Sequence, residues 1–160
     1  MANIVELEVG HQWERSVFGR SSDQCRLRFQ PMSRIAGTKK VIAEQCNVDW
    51  NPEKPKTTVG QEILSCVKSY LPRGEAQILK MYSAIGTVLD FQHNIDGFFM
   101  LRNVILPIDL KAGTPPPSYK KGSFLLMMKE CNGIRLWRSC HVMASILQGN
   151  DPEGLLYTVN

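Results

Sequence analysis

The sequence contains no apolar run near the roughly 20 residues that a membrane-spanning helix needs. Its first residues, "MANIVELEVGHQWER", carry Glu6 and Glu8 and lack the basic-then-apolar order of a secretory signal. Ala2 stands where N-myristoylation requires glycine. The expectation is a chain made and kept in the cytosol. The five cysteines, Cys25, Cys46, Cys66, Cys131 and Cys140, are odd in number and form no C-x-x-C pair. Disulfide frameworks and zinc spacing are therefore absent, and the thiols read as small buried apolar groups.

Catalytic patterns are missing too. The three histidines, His11, His93 and His141, lie far apart, none with a partner at metal-ligand spacing. There is no G-x-S-x-G, P-loop or dinucleotide-binding glycine pattern. Cys140 and His141 are neighbours, but on a helix adjacent side chains diverge by about 100° and do not form an ion pair. The chain reads as a non-enzyme, with no metal and no cofactor.

What is present is an ordinary globular composition. The 160 residues are 43% apolar and 21% charged, enough for one domain with a core. The net charge of +4 is unevenly spread. Between Arg15 and Lys40 lie Arg15, Arg20, Arg26, Arg28, Arg34, Lys39 and Lys40 against Asp23 alone. A cationic segment on a near-neutral body suits an anionic partner, either nucleic acid or an acidic lipid surface.

Residues 1–24 read as a weakly ordered N-terminal segment, with "IVELEV" alternating as a short edge strand. "CRLRFQP" alternates with Arg26 and Arg28 outward, as a half-buried strand does. "KKVIAEQCNVDW" reads as a second strand and "NPEKPKTT" as a loop. A helix follows, capped at Thr58 with Gln61 three residues on. Val59, Ile63, Cys66, Val67 and Tyr70 share its face, and Pro72 ends it. "EAQILKMYSAIGTVLDF" fits either regular structure. "GFFMLRNVILPIDL" reads as strand broken near Asn103 and weakened by Pro107. "SFLLMMKE" reads as a strand buried on both faces. The last helix runs from Ile134 to Leu147 with Leu136, Cys140, Met143 and Leu147 as its stripe, stopped by Gly149 and Pro152. The tail can add a final strand. Residues 25–160 thus form a single α+β domain, a mainly antiparallel sheet packed with two or three helices.

Two stretches suggest recognition. Phe98 and Phe99 are adjacent, so on a strand they face opposite ways, and one left uncovered is a candidate for self-association. Pro116-Pro117-Ser118-Tyr119 satisfies Pro-Pro-any-Tyr, a preformed extended helix ending in an aromatic, as WW-type grooves accept. The same prolines also serve as a stiff loop before the next strand.

Three segments in order, Thr57 to Tyr70 ("TTVGQEILSCVKSY"), Gln77 to Leu89 ("QILKMYSAIGTVL") and Tyr119 to Glu130 ("YKKGSFLLMMKE"), resemble the core of the matrix proteins of rhabdoviruses, of which a plant-infecting member would fit this short form. From the first to the last they span residues 57–130, about half of the chain. The resemblance implies a self-associating structural protein that bridges the viral nucleocapsid to the inner face of the envelope and drives assembly and budding. It implies residence in the virion and the host cytoplasm, peripheral to membranes. Arg15, Arg20, Arg26, Arg28, Arg34, Lys39 and Lys40, joined by Lys120 and Lys121, would bind anionic lipid or nucleocapsid. Pro116, Pro117 and Tyr119 would form a late-domain-like motif, although the family carries it in a lysine-rich N-terminus and here it is internal. The alternative is a basic RNA-binding accessory protein such as a silencing suppressor.

Overall fold

A computed structural model describes residues 4–21, 31–45, 50–113, 122–128 and 134–160. Six helices and five strands occur among them. The domain is α+β, as expected, but with more helix than the two or three anticipated.

The sheet is built around one strand. β1 (Lys80–Ser83), β2 (Gly97–Leu101) and β3 (Val104–Lys111) form an antiparallel meander, with Phe98 opposite Pro107 and Phe99 opposite Leu106. The break near Asn103 is the β2–β3 turn, where Arg102 takes a left-handed φ of 59°. On the other side of β3, β4 (Phe124–Met127) pairs in parallel with Ile108 to Lys111. There β5 (Tyr157–Thr158) pairs antiparallel with Val104 and Ile105. Leu106 and Pro107 fall in the interval between these two ladders, so a residue without an N–H sits mid-strand in a buried sheet.

Alternation along the strands sorts side chains onto two covered faces. Phe99, Leu101, Leu106, Ile108 and Leu110 point into the larger core. Three helices cover it: α1 (Ile4–Phe18) with Trp13, Val17 and Phe18, α3 (Thr58–Ser69) with Ile63, Leu64 and Val67, and α6 (Ile134–Leu147) with Cys140, Met143 and Leu147. Phe98 and Ile105 point the other way, into a smaller core closed by Val41 of α2 (Arg34–Gln45) and Leu89 of α5 (Val88–His93). The short α4 (Arg73–Ile78) leads from α3 into β1. The molecule is a helix–sheet–helix sandwich.

Local chemistry explains most boundaries. Thr57, one residue earlier than expected, caps α3: its hydroxyl accepts from Gly60 N at 2.9 Å and donates to the Val17 carbonyl at 2.6 Å. The same side chain thus ties α3 to α1. Pro72 follows the end of α3 and opens α4, where its missing N–H leaves nothing unpaired. α6 ends in a Schellman turn: Gly149 has φ 105°, Gly149 N donates to Ile146 O, and Asn150 N donates to Ser145 O.

Three expectations differ. "IVELEV" belongs to helix α1 rather than to an edge strand. Short alternation is also compatible with a helix, and the burial of Trp13, Val17 and Phe18 decides the matter. "KKVIAEQ" is the second half of helix α2, started by Ser33, whose hydroxyl accepts from Ala36 N at 3.2 Å. Gly37, Thr38 and Val41 form its buried side. β4 is less buried than its five apolar residues suggest: Phe124 and Leu125 are half-buried, and Met128 is exposed. The ambiguous "EAQILKMYSAIGTVLDF" divides into α4, β1 and α5. The proposed strand "CRLRFQP" lies almost wholly outside the described residues.

Candidate surfaces for anionic partners

The seven cations between Arg15 and Lys40 do not form one face. Arg15 lies exposed on α1, on the larger-core side of the sheet, with a 3.4 Å contact from Nη1 to the Ser21 hydroxyl. Arg20 is exposed and donates to the carbonyl of Ile85. Arg34 is half-buried, its guanidinium 5.3 Å from the centroid of the Tyr157 ring. Lys39 and Lys40 are exposed on α2, on the opposite side of the sheet from α1. Lys40 meets Glu44 at 3.9 Å, an exposed i,i+4 pair of small worth. Arg26, Arg28, Lys120, Lys121, Pro116, Pro117 and Tyr119 lie outside the described residues.

The outward side of α2 joins Lys39 and Lys40 to Ile35, Ala36 and Ala43, all exposed. Ile35 keeps 46% of its surface and Phe91, on the neighbouring α5, keeps 47%. α2 seats on α5 through Gly37, where a Cβ would stand 2.9 Å from a Leu89 methyl and 3.1 Å from a Val88 methyl. The absence of a side chain there lets the two helices form one layer with cations and apolar groups outside.

Phe98 and Phe99 do not leave an apolar group uncovered. Each is fully buried, one in each core. Phe98 stacks on Tyr82 with ring centroids 5.0 Å apart. The self-association expected of this pair is corrected accordingly, because both faces of β2 are covered by helices. Large apolar groups reach the surface elsewhere, at Ile35, Ile78, Phe91, Met128, Trp137 and Val142.

A basic helical face does exist, on α6, and the sequence reading passed over it. The buried stripe of this helix was legible; its complement is Arg135, Trp137, Arg138, His141 and Val142, all exposed. Trp137 keeps 57% of its surface. The helix contains no acidic residue. His141 packs against the half-exposed Tyr70 at 5.0 Å between ring centroids. Beside it lies a cavity of about 270 Å³ lined by Phe124, His141, Val142, Ile146, Asp151 and Leu155. Its Asp151 carboxylate is already occupied, accepting from Leu155 N and Leu156 N at 2.9 Å each.

Beneath the surface, Asp90, Asp96 and Asp109 cluster where α5, β2 and β3 meet. Asp90 and Asp96 lie close enough to influence one another. Asp96 accepts from Leu110 N at 2.7 Å, and Gly86 N donates to Asp90 at 2.9 Å. Burial, then the charges of Asp109 and Asp90, raise the Asp96 carboxyl well above the usual carboxylate range. Burial likewise raises Asp90. Lys111 lies 3.4 Å from Asp109. Among the described residues no three His, Cys, Asp or Glu side chains can hold a metal ion, and no helix is long and apolar enough to cross a membrane.

No protein-family model matches the chain, and neither a curated protein nor a solved structure matches it. Function has to be reasoned from the surface itself.

Proposed function

We propose that the chain is a structural protein of the matrix type, without enzymatic activity, which lies peripherally on acidic membranes and bridges them to a nucleocapsid as it self-associates. The observation that carries this reading is the outward side of the α2–α5 layer, where Lys39 and Lys40 stand among exposed Ile35, Ala36, Ala43 and Phe91. Lysines attract an anionic leaflet at about 1 kcal/mol each, and apolar groups between them enter the headgroup region. The ordered resemblance of Thr57–Tyr70, Gln77–Leu89 and Tyr119–Glu130 to rhabdovirus matrix proteins supports the same class. On this reading the protein resides in the virion and in the host cytoplasm, and its copies assemble during budding. The alternative, a basic RNA-binding accessory protein, draws its support from α6 instead.

Co-flotation with vesicles tests the membrane role. Phosphatidylserine vesicles should carry the protein upward at low salt and release it as salt rises, because the attraction is screened. Lys39→Glu with Lys40→Glu should abolish flotation without unfolding the chain, since both side chains are exposed. Equal flotation with neutral vesicles, or no effect of the two reversals, would overturn the membrane reading.

A further inference from the structure

The geometry points to a second anion-binding surface, on the outward side of α6, that takes single-stranded nucleic acid: bases stack on Trp137 while Arg135 and Arg138 hold phosphates. Arg135, Arg138 and Val142 follow one another at i, i+3 and i+7, and Trp137 and His141 at i and i+4; together they form an outward arc of about 160°, in the order Trp137, His141, Arg138, Val142, Arg135 around the helix. No carboxylate pairs with either arginine among the described residues, and none occurs in the helix, so within that part of the chain both guanidinium groups are open to an external anion. The indole is 57% exposed, whereas Trp13 and Trp50 are buried and donate to Leu126 O and Met81 O. An exposed flat aromatic beside cations is an arrangement that single strands use, because every base offers a stacking face. Next to Trp137 along the helix, His141 meets the Tyr70 ring with the two planes tilted by 53°, which adds further aromatic surface.

A lipid partner fits this helix less well. A membrane-surface helix sinks its apolar side into the bilayer. In α6 that side, Cys140, Met143 and Leu147, is already consumed by the core. The outward side has two arginines and one indole but only Val142 as an aliphatic group. Guanidinium groups, planar and strong phosphate ligands, match nucleic acid. The two anion-binding surfaces lie on opposite faces of the sheet, so one copy of the chain can hold both partners together. This inference adds a partner to the membrane role and stands without it: flotation reads α2, and oligonucleotide binding reads α6.

The experiment is titration of the full chain with a fluorescently labelled oligouridylate, following the label's anisotropy and tryptophan emission in parallel. Because Trp13 and Trp50 are buried, stacking quenches Trp137. Saturable quenching is expected in the wild type and should vanish in Trp137→Phe while anisotropy still reports binding. Trp137→Ala should weaken binding about tenfold, the loss of one stacked base at about 1.4 kcal/mol. Arg135→Gln with Arg138→Gln should reduce the slope of log affinity against log salt by about 1.4, two phosphate contacts at roughly 0.7 each. Unchanged affinity in Trp137→Ala would overturn the inference, as would equally tight binding of a perfect RNA duplex. A blue shift of Trp137 on phosphatidylserine vesicles with none of the quenching by oligouridylate would also overturn it, and would assign the helix to lipid.

Discussion

Truncating the two adjacent phenylalanines of β2 tests the architecture on which both surfaces depend. Phe98 and Phe99 are each fully buried, and they point to opposite sides of the sheet. Phe98→Ala opens a void under α2 and α5; Phe99→Ala opens one under α1, α3 and α6. With no exposed area to discount, each loses the transfer energy of a whole ring plus a cavity term, about 3–5 kcal/mol. Phe98 also loses its stacking on Tyr82, which places it no lower than Phe99 in spite of its smaller cluster. The sheet separates the two voids, so their effects should add within about 0.5 kcal/mol. Together the alanine changes approach the whole stability of a typical domain, so additivity is better read from Phe98→Leu and Phe99→Leu, alone and combined. Urea unfolding supplies the free energies, and an unchanged slope shows that the unfolding reaction is the same. A cost below about 1 kcal/mol for either alanine change would mean that its face is not covered. Loss of self-association without loss of stability would return that residue to an intermolecular contact.

Other consequences are quicker to check. Thr57→Ala removes the α3 cap and leaves the Val17 carbonyl without its donor, at about 1–2 kcal/mol in urea unfolding, and Thr57→Ser should restore most of it. Gly97→Ala places a Cβ 2.2 Å from Phe18 Cζ and 2.7 Å from the Tyr82 carbonyl. It should cost about 1–3 kcal/mol, and adding Phe18→Leu should recover only part, because the carbonyl belongs to the paired backbone. The buried carboxyls set a pH dependence. The Asp96 pKa is raised on folding above its ordinary 3.8, so its contribution is full below that value and is lost as pH rises through the folded pKa. Asp96→Asn keeps an acceptor for Leu110 N and carries no charge. The variant should therefore gain on the wild type as pH rises from about 4 to about 7, and a thermal-melting difference that stays flat or shrinks would refute this.

Much of this fold was legible in the chain. The stripe Cys140, Met143 and Leu147, closed by Gly149, marks α6 because its period and stop signal agree. The start of α3 was legible to within one residue, Thr57 rather than Thr58 being the cap, and the break between β2 and β3 was plain. α1 and α2 were not, since "IVELEV" and "KKVIAEQ" are short windows in which a period of two competes with one of 3.6. The Ser33 cap was the neglected signal for α2. Cations can be counted along a chain, but the side of the sheet each occupies is fixed only by packing. Arg20 illustrates this: it is exposed, yet its guanidinium is tied to the Ile85 carbonyl, far along the chain. The outward side of α6 needed only the helical complement of a stripe already recognised. The value of Trp137 there emerged once Trp13 and Trp50 proved to be core.

The central claim is that one chain holds two anionic partners on opposite faces of its sheet. Its most direct test is flotation of a labelled single-stranded RNA with phosphatidylserine vesicles in the presence of the full protein. RNA should rise with the vesicles. Lys39→Glu with Lys40→Glu should leave RNA and protein together at the bottom, and Trp137→Ala with Arg138→Glu should float protein without RNA. If added RNA instead strips the protein from the vesicles, a single surface serves both partners and the two-faced account is wrong.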